Sequence, residues 1–149
     1  MELSNLFDID SGIALVNNYE NKQLFQIINC IDKKVLEVGC GCLPACMGIP
    51  DTQMPKYYAA IDTVPEIIEA AKTFEKRPDY YIGSVENIPF DDFFFDIIIL
   101  IGVLHHLKSP VNGLLELKKK MKPEGYLYIY EPNLSCLPGN IVKWLLRKL

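Results

Sequence analysis

Glycines and carboxylates stand at two points of the chain where the residue pattern predicts that strands end. Gly39 and Gly41 follow an apolar stretch that contains Glu37, and Asp62 follows the next apolar stretch. Glycine lets a backbone approach a ligand closely, and a carboxylate about 20 residues further on can accept hydrogen bonds from ribose hydroxyls. The pattern indicates a nucleoside-containing cofactor. The alternative is that the glycines only make a tight turn between a strand and a helix.

The charge beside these glycines distinguishes between classes of cofactor. Glu37 lies just before them, where its carboxylate would repel a pyrophosphate but attract a cofactor that carries an ammonium and a sulfonium. Pro44 stands where the dinucleotide-binding pattern G-x-G-x-x-G requires its third glycine. Both observations favour S-adenosyl-L-methionine over a nicotinamide dinucleotide.

A pair of histidines, His105 and His106, follows the fourth predicted strand. Because a neutral imidazole can accept a proton near pH 7, either residue could act as a general base for an oxygen or nitrogen nucleophile. The alternative is that the pair caps the strand and hydrogen-bonds the neighbouring loop. Glu131, at the end of the fifth predicted strand, is a weaker candidate base and is expected to be a structural partner.

Three cysteines, Cys40, Cys42 and Cys46, cluster just after the first predicted strand. Their thiolates could ligate zinc or an iron–sulfur cluster, but structural zinc prefers four ligands and a C-x₂₋₄-C spacing. Small buried cysteines that pack as hydrophobic residues beside glycines are the favoured interpretation. No metal site is therefore predicted.

The elements that must position these residues alternate between strands and helices. Strands are predicted at 34–38, 57–61, 79–82, 96–101 and 126–130, and helices at about 11–30, 65–76 and 110–121. This alternation favours an α/β doubly wound, mainly parallel sheet of order 3-2-1-4-5 with helices on both faces. The expected single domain has an N-terminal helical segment (1–32), a cofactor-binding core (33–133) and a C-terminal helix (134–149).

The composition excludes several classes of protein. The 149 residues carry a net charge of −4, which argues against a phosphate backbone as the main partner, so no nucleic acid is expected. The longest apolar run, 97–104, is too short for membrane insertion, and the acidic N-terminus does not resemble a signal peptide. A cytoplasmic location is expected. The tail at 140–149 has a basic amphipathic pattern that suits either a lipid surface or, as favoured here, docking on the sheet.

Five motifs occur in an order that resembles the class I, Rossmann-like S-adenosylmethionine-dependent methyltransferases, in particular the branch that acts on small molecules and lipids. The matching stretches are 35–41, 60–62, 83–90, 95–107 and 117–133. The resemblance implies ten cofactor-binding residues: Glu37, Gly39 and Gly41 at the methionine portion, Asp62 at the ribose, Thr63, Val64, Ser84 and Val85 around the adenine, and Ile101 and Gly102 at the methyl-transfer end.

Three features depart from the family pattern. Leu43 replaces a third glycine, Ser84 replaces an acidic residue, and the chain ends before the two antiparallel strands that usually complete the sheet. Either the chain is a fragment, or the fifth-strand edge is exposed or covered by the terminal helix, an oligomer contact or a partner.

The expected function is S-adenosylmethionine-dependent methyl transfer, by in-line displacement, to a small-molecule or lipid-like acceptor. The alternative is a truncated or degenerate methyltransferase-like module that binds or interacts without catalysis.

Overall fold

The computed structural model describes residues 24–25, 28–132 and 141–147, which include a six-stranded sheet of order β3-β2-β1-β4-β5-β6. The strands are β1 Lys34–Val38, β2 Tyr57–Asp62, β3 Asp79–Ile82, β4 Phe95–Ile101, β5 Met121–Pro132 and β6 Ile141–Arg147. The first five strands pair in parallel, so the predicted order 3-2-1-4-5 is confirmed. β1 and β4 lie side by side at the centre, and the carboxyl ends of all five strands meet at one edge of the sheet.

Both faces of the central strands are buried. Successive side chains of β4 alternate between the two faces, so Ile97 and Ile99 enter one core while Ile98 and Leu100 enter the other. Continuous apolar sequence in β4 is therefore what a strand covered on both sides requires.

Helix α1 (Pro65–Phe74) and helix α2 (Pro110–Lys120) cover opposite faces of the sheet. Ile68 of α1 belongs to one core and Leu117 of α2 belongs to the other. α2 begins after Ser109, whose hydroxyl oxygen accepts the N–H of Asn112 at 3.4 Å. Among the described residues, no helix is long and apolar enough to cross a bilayer.

The C-terminal helix predicted at 134–149 was wrong for the part that the structure describes. Residues 141–147 form strand β6, which pairs antiparallel with β5. An unpaired edge of β5 would leave a row of backbone N–H and C=O groups without partners, and β6 satisfies them. The expectation that the chain lacks any strand beyond the fifth was therefore also wrong. Residues 133–140 and 148–149 lie outside the described residues.

The N-terminal helical segment predicted at 1–32 falls largely outside the described residues. Leu24 and Phe25 are helical, and the carbonyl of Leu24 accepts the N–H of Ile28 at 2.9 Å. Residues 28–33, where the helix was expected to end, contain a bend and a turn instead of helix.

Strand β5 begins five residues earlier than predicted, at Met121 rather than at residue 126. The pairing between β4 and β5 shifts register between Phe95 and Ile97, which places Pro123 and Gly125 in an irregular stretch of the strand. Proline and glycine are tolerated at such irregularities because the ladder is interrupted there. The two residues therefore lie within the strand rather than before it.

Candidate functional site

A cavity of about 390 Å³ opens at the carboxyl edge of the sheet, between the ends of β1, β2, β3 and β4. Seven of the residues predicted to form the site line it, namely Gly39, Asp62, Thr63, Ser84, Val85, Gly102 and His106. Five others do not line it, namely Glu37, Gly41, Val64, Ile101 and His105. Four lining residues were not predicted, namely Val38, Gly83, Val103 and Leu107. Each of these four adjoins or closely follows a predicted site residue, and this proximity was the signal that could have found them.

The glycine turn after β1 forms one wall of the cavity. The carbonyl of Ile61 in β2 accepts the N–H of Gly39 at 2.8 Å and that of Cys40 at 3.1 Å. Gly39 has a φ of +70°, and a Cβ at this position would lie 2.4 Å from Cγ2 of Val103. Gly39 is therefore required by the close approach of the loop after β4. Gly41, with a φ of +59°, differs because a Cβ there would meet no atom within 4 Å.

Asp62 ties the glycine turn to the start of α1. Its Oδ2 accepts the N–H of Gly41 and its Oδ1 accepts the N–H of Val64, each at 3.1 Å. An ionised carboxylate offers about four acceptor positions, so Asp62 retains capacity for two further donors. Since Asp62 also lines the cavity, it fits the role of accepting hydrogen bonds from ribose hydroxyls.

Glu37 lies beneath the turn rather than in the cavity, and its side chain is buried with 3% exposed. Both of its carboxylate oxygens lie 3.0 Å from the N–H of Ala45, and the hydroxyl of Tyr58 donates to Oε2 at 2.6 Å. Burial raises the pKa of Glu37 to about 7, although the hydrogen bonds from Tyr58 and Ala45 act in the opposite direction. Its expected contact with a cofactor ammonium stays a prediction.

The side of the cavity predicted to hold an adenine combines two polar residues, Thr63 and Ser84, with the apolar Val85. Val85 is buried, whereas Thr63 and Val64 are exposed at the start of α1. The Oγ of Ser84 accepts the N–H of Glu86 at 3.0 Å, so its hydroxyl proton can be donated to another group.

The loop after β4 is fixed by Glu131 of β5. Its Oε1 accepts the N–H groups of Val103 and Leu104, each at 2.7 Å, at the start of the 3₁₀ turn Leu104–His106. Its Oε2 lies 2.6 Å from Nδ1 of His105. The expectation that Glu131 is a structural partner is therefore confirmed.

The two histidines occupy different positions relative to the cavity. His106 lines it, whereas His105 packs beside Gly102, with the two imidazole centroids 3.9 Å apart. An ionised carboxylate only accepts hydrogen bonds, so Glu131 places the imidazole proton of His105 on Nδ1. In the neutral imidazole, this arrangement places on Nε2 of His105 the lone pair that a general base uses.

The described cysteines near the turn are free thiols. Cys30, Cys40 and Cys46 are buried and Cys42 is partly exposed. Burial raises the pKa of Cys30 to about 12, and it raises those of Cys40 and Cys46 further still. A thiol with so high a pKa stays protonated near neutral pH. The burial of these side chains supports their interpretation as packing residues.

Comparisons with known proteins agree with this geometry. A family model described as a methyltransferase domain matches residues 36–129. The chain is 31% identical over 140 residues to the mitochondrial ubiquinone biosynthesis O-methyltransferase of Schizosaccharomyces pombe, covering 83% of this chain and 49% of that protein. It is 30% identical over 115 residues to a phthiotriol/phenolphthiotriol dimycocerosates methyltransferase of Mycobacterium tuberculosis, covering 75% and 41% respectively.

Solved structures lead to the same family. A crystal structure of an S-adenosylmethionine-dependent methyltransferase from Aquifex aeolicus matches with a TM-score of 0.68 and 26% identity, over 88% of this chain and 73% of that chain. The chain spans less than half the length of the two curated relatives named above. The family match includes the glycine turn, Asp62 and the loop after β4. The chain therefore belongs to the methyltransferase domain family, and the cofactor of this family is S-adenosyl-L-methionine.

Proposed function

We propose that the chain binds S-adenosyl-L-methionine in the cavity at the carboxyl edge of the sheet and transfers its methyl group to a small-molecule or lipid-like acceptor. The observation that carries this proposal is the position of Asp62, which lines the cavity beside the glycine turn and keeps acceptor capacity free. Relatives named for ubiquinone biosynthesis and for phthiotriol dimycocerosates support an acceptor of this class.

The lining residues divide between the parts of the cofactor. Asp62 accepts the ribose hydroxyls, and Thr63, Ser84 and Val85 contact the adenine. The methionine portion lies along the glycine turn, where the space beside Gly41 is open. Ile101 and Val64 do not line the cavity, and their contacts with the cofactor stay predictions.

The bound cofactor supplies a methyl group on a sulfonium centre, which is open to in-line displacement. The task of the chain is to align an acceptor with that group and to remove the acceptor proton. Nε2 of His105 takes this proton, because Glu131 fixes the proton of Nδ1 and orients the ring. His106, which lines the cavity, contacts the acceptor.

Calorimetric titration with S-adenosylhomocysteine tests the cofactor site. The wild-type chain should show saturable binding, and Asp62→Ala should weaken it about tenfold or more, since hydrogen bonds to a charged group are lost. Asp79→Ala is the matched control, because it removes an exposed aspartate from strand β3 and should leave the affinity unchanged. No binding at millimolar ligand, or equal effects of the two substitutions, would contradict the proposed site.

Turnover with candidate acceptors tests the base. His105→Ala should lower the methyl-transfer rate by about 10²-fold or more while leaving the affinity for S-adenosylhomocysteine unchanged. Retention of turnover by both His105→Ala and His106→Ala would contradict general-base catalysis by either residue.

The second candidate function is a methyltransferase-like module that binds or interacts without catalysis. It is favoured by Pro44 and Leu43 in the loop after the turn and by the uncharged Ser84. Failure of the wild-type chain to bind S-adenosylhomocysteine would support it. The cytoplasmic location expected from the sequence stays a prediction.

A further inference from the structure

The loop between the glycine turn and β2 does not form an α-helix. It contains Pro44, Pro50 and Pro55 and forms turns and one 3₁₀ turn, Asp51–Gln53. Proline lacks an N–H and disfavours helix interiors, so the loop has only short turn hydrogen bonds of its own, such as that from Met47 to Pro44. On its inner side the loop is held by Glu37, which accepts the N–H of Ala45.

Arg77 also holds this loop. Its Nη1 donates to the carbonyl of Ile49 at 2.7 Å, and its Nη2 donates to the carbonyl of Cys46 at 3.1 Å. Nη1 also donates to Oδ1 of Asp51 at 2.9 Å. The guanidinium thus bonds three residues of the loop although it lies between α1 and β3.

Glu75 fixes the orientation of the guanidinium. Its Oε1 accepts from Nε of Arg77 at 2.8 Å, and its Oε2 accepts from Nη2. Glu75 is 8% exposed, and the Arg77 guanidinium holds the pKa of its carboxyl below its usual value. An arginine held by a buried carboxylate presents its remaining donors in a fixed plane.

We propose that Arg77 is a positioning residue for the cofactor turn. It does not line the cavity. It acts by holding Cys46 and Ile49, while Glu37 holds the adjacent Ala45. These contacts keep the chain that leaves Gly41 in place where proline prevents a regular helix from doing so.

A lysine cannot replace this arginine fully. The five N–H donors of Arg77 reach two carbonyls and two carboxylates at once, whereas an ammonium is a point charge with three donors. Arg77→Lys should therefore restore part of what Arg77→Ala removes.

Hydrogen exchange tests, without any ligand, whether Arg77 holds the loop. In Arg77→Ala, the amides of Met47 and Ile49, which bond within the loop, should exchange at least about tenfold faster than in the wild type. Amides of β4 should be unchanged. Lys72→Ala is the matched control, because it removes a cation from an exposed ion pair with Glu69 on α1 and should leave loop exchange unchanged.

Calorimetry with S-adenosylhomocysteine tests the consequence for the cofactor, and this part rests on the proposed function. Arg77→Ala should weaken binding about tenfold, Arg77→Lys should weaken it less, and Lys72→Ala should not weaken it. Unchanged loop exchange in Arg77→Ala, or a loosened loop with unchanged affinity, would overturn the inference.

Failure of the wild-type chain to bind would instead overturn the proposed function and the cofactor part of this inference, while the exchange data would still decide whether Arg77 holds the loop. Should Arg77→Ala not give folded protein, Arg77→Lys against Lys72→Ala decides both measurements by the same criteria.

Discussion

Two loops at the carboxyl edge of the sheet are held by the same device, a glutamate that accepts backbone N–H groups. Glu37 accepts the N–H of Ala45 in the loop after β1. Glu131 accepts those of Val103 and Leu104 in the loop after β4. In both loops the carboxylate satisfies donors that no regular element satisfies.

The two glutamates differ in their third partner and in their exposure. Glu37 is 3% exposed and bonds the phenol of Tyr58, whose pKa burial raises far above the neutral range. The side chain of Glu131 is 17% exposed and bonds the imidazole of His105. Glu37 therefore stabilises a loop within the core. Glu131 makes the same kind of contact and also orients a proton-accepting imidazole at the surface.

The largest expected effect on stability comes from removing the side chain of the buried Glu37. Glu37→Ala leaves the Tyr58 hydroxyl and the Ala45 N–H without acceptors and opens a void, so the free energy of unfolding should fall by about 4 kcal/mol. Denaturant unfolding measures this loss. Glu37→Gln is the matched control, since its amide oxygen can still accept one donor, and it should cost less. Equal losses would show that the carboxylate contacts are not what holds the loop.

The burial of Glu37 should also make the free energy of unfolding depend on pH. Burial raises the pKa of Glu37 from its ordinary value near 4.5 to about 7, so the folded state binds this proton more tightly than the unfolded state does. The resulting stabilisation is fully present below about pH 4.5 and is lost as pH rises through about 7.

The difference in stability between wild type and Glu37→Gln should therefore shift by about 3 kcal/mol against the wild type between pH 4.5 and 8. Denaturant unfolding of both chains across this range measures it. A difference that does not change with pH would show that Glu37 titrates normally.

The central sheet could be predicted from the sequence because its signals are local. The strands at 34–38 and 79–82 were predicted with the bounds that the structure has, since each is short, apolar or aromatic, and bounded by turn residues. Strand β6 could not be predicted, because the run at 141–147 fits a helical face as well as it fits a strand. The open edge of β5, a tertiary feature, favours the strand.

The site was predictable to the extent that it follows from strand ends. Asp62 and Gly39 both line the cavity because parallel strands bring their carboxyl ends to one edge, and their contacts with a cofactor stay predictions. The burial of Glu37 depends on Tyr58 of the neighbouring strand, and so on strand register. Arg77 contacts loop carbonyls that lie 28 and 31 positions away along the chain, and no sequence pattern predicts these contacts.

Gly39→Ala should have an intermediate effect on stability, because it changes the point where the two loops meet. A φ of +70° disfavours alanine, and its Cβ would lie 2.4 Å from Cγ2 of Val103, whose β-branched side chain adapts poorly. The free energy of unfolding should fall by roughly 2 to 3 kcal/mol. Gly41→Ala is the control, with the same strain but open space, and should cost about 1 kcal/mol. Adding Val103→Ala should recover part of the Gly39→Ala loss; no recovery would show that the two loops do not meet there.

Glu131→Gln should have the smallest effect on stability. It separates the two roles of Glu131, which are to hold the loop after β4 and to orient the imidazole of His105. Its amide oxygen can still accept the N–H groups of Val103 and Leu104, so unfolding should change by less than about 1 kcal/mol. The amide nitrogen then donates toward Nδ1 of His105, which moves the imidazole proton to Nε2 and removes the lone pair that the proposed base uses. Methyl transfer should fall by about 10²-fold while the affinity for S-adenosylhomocysteine stays unchanged. A variant that keeps full turnover would show that Glu131 holds its loop as Glu37 does, without directing a proton.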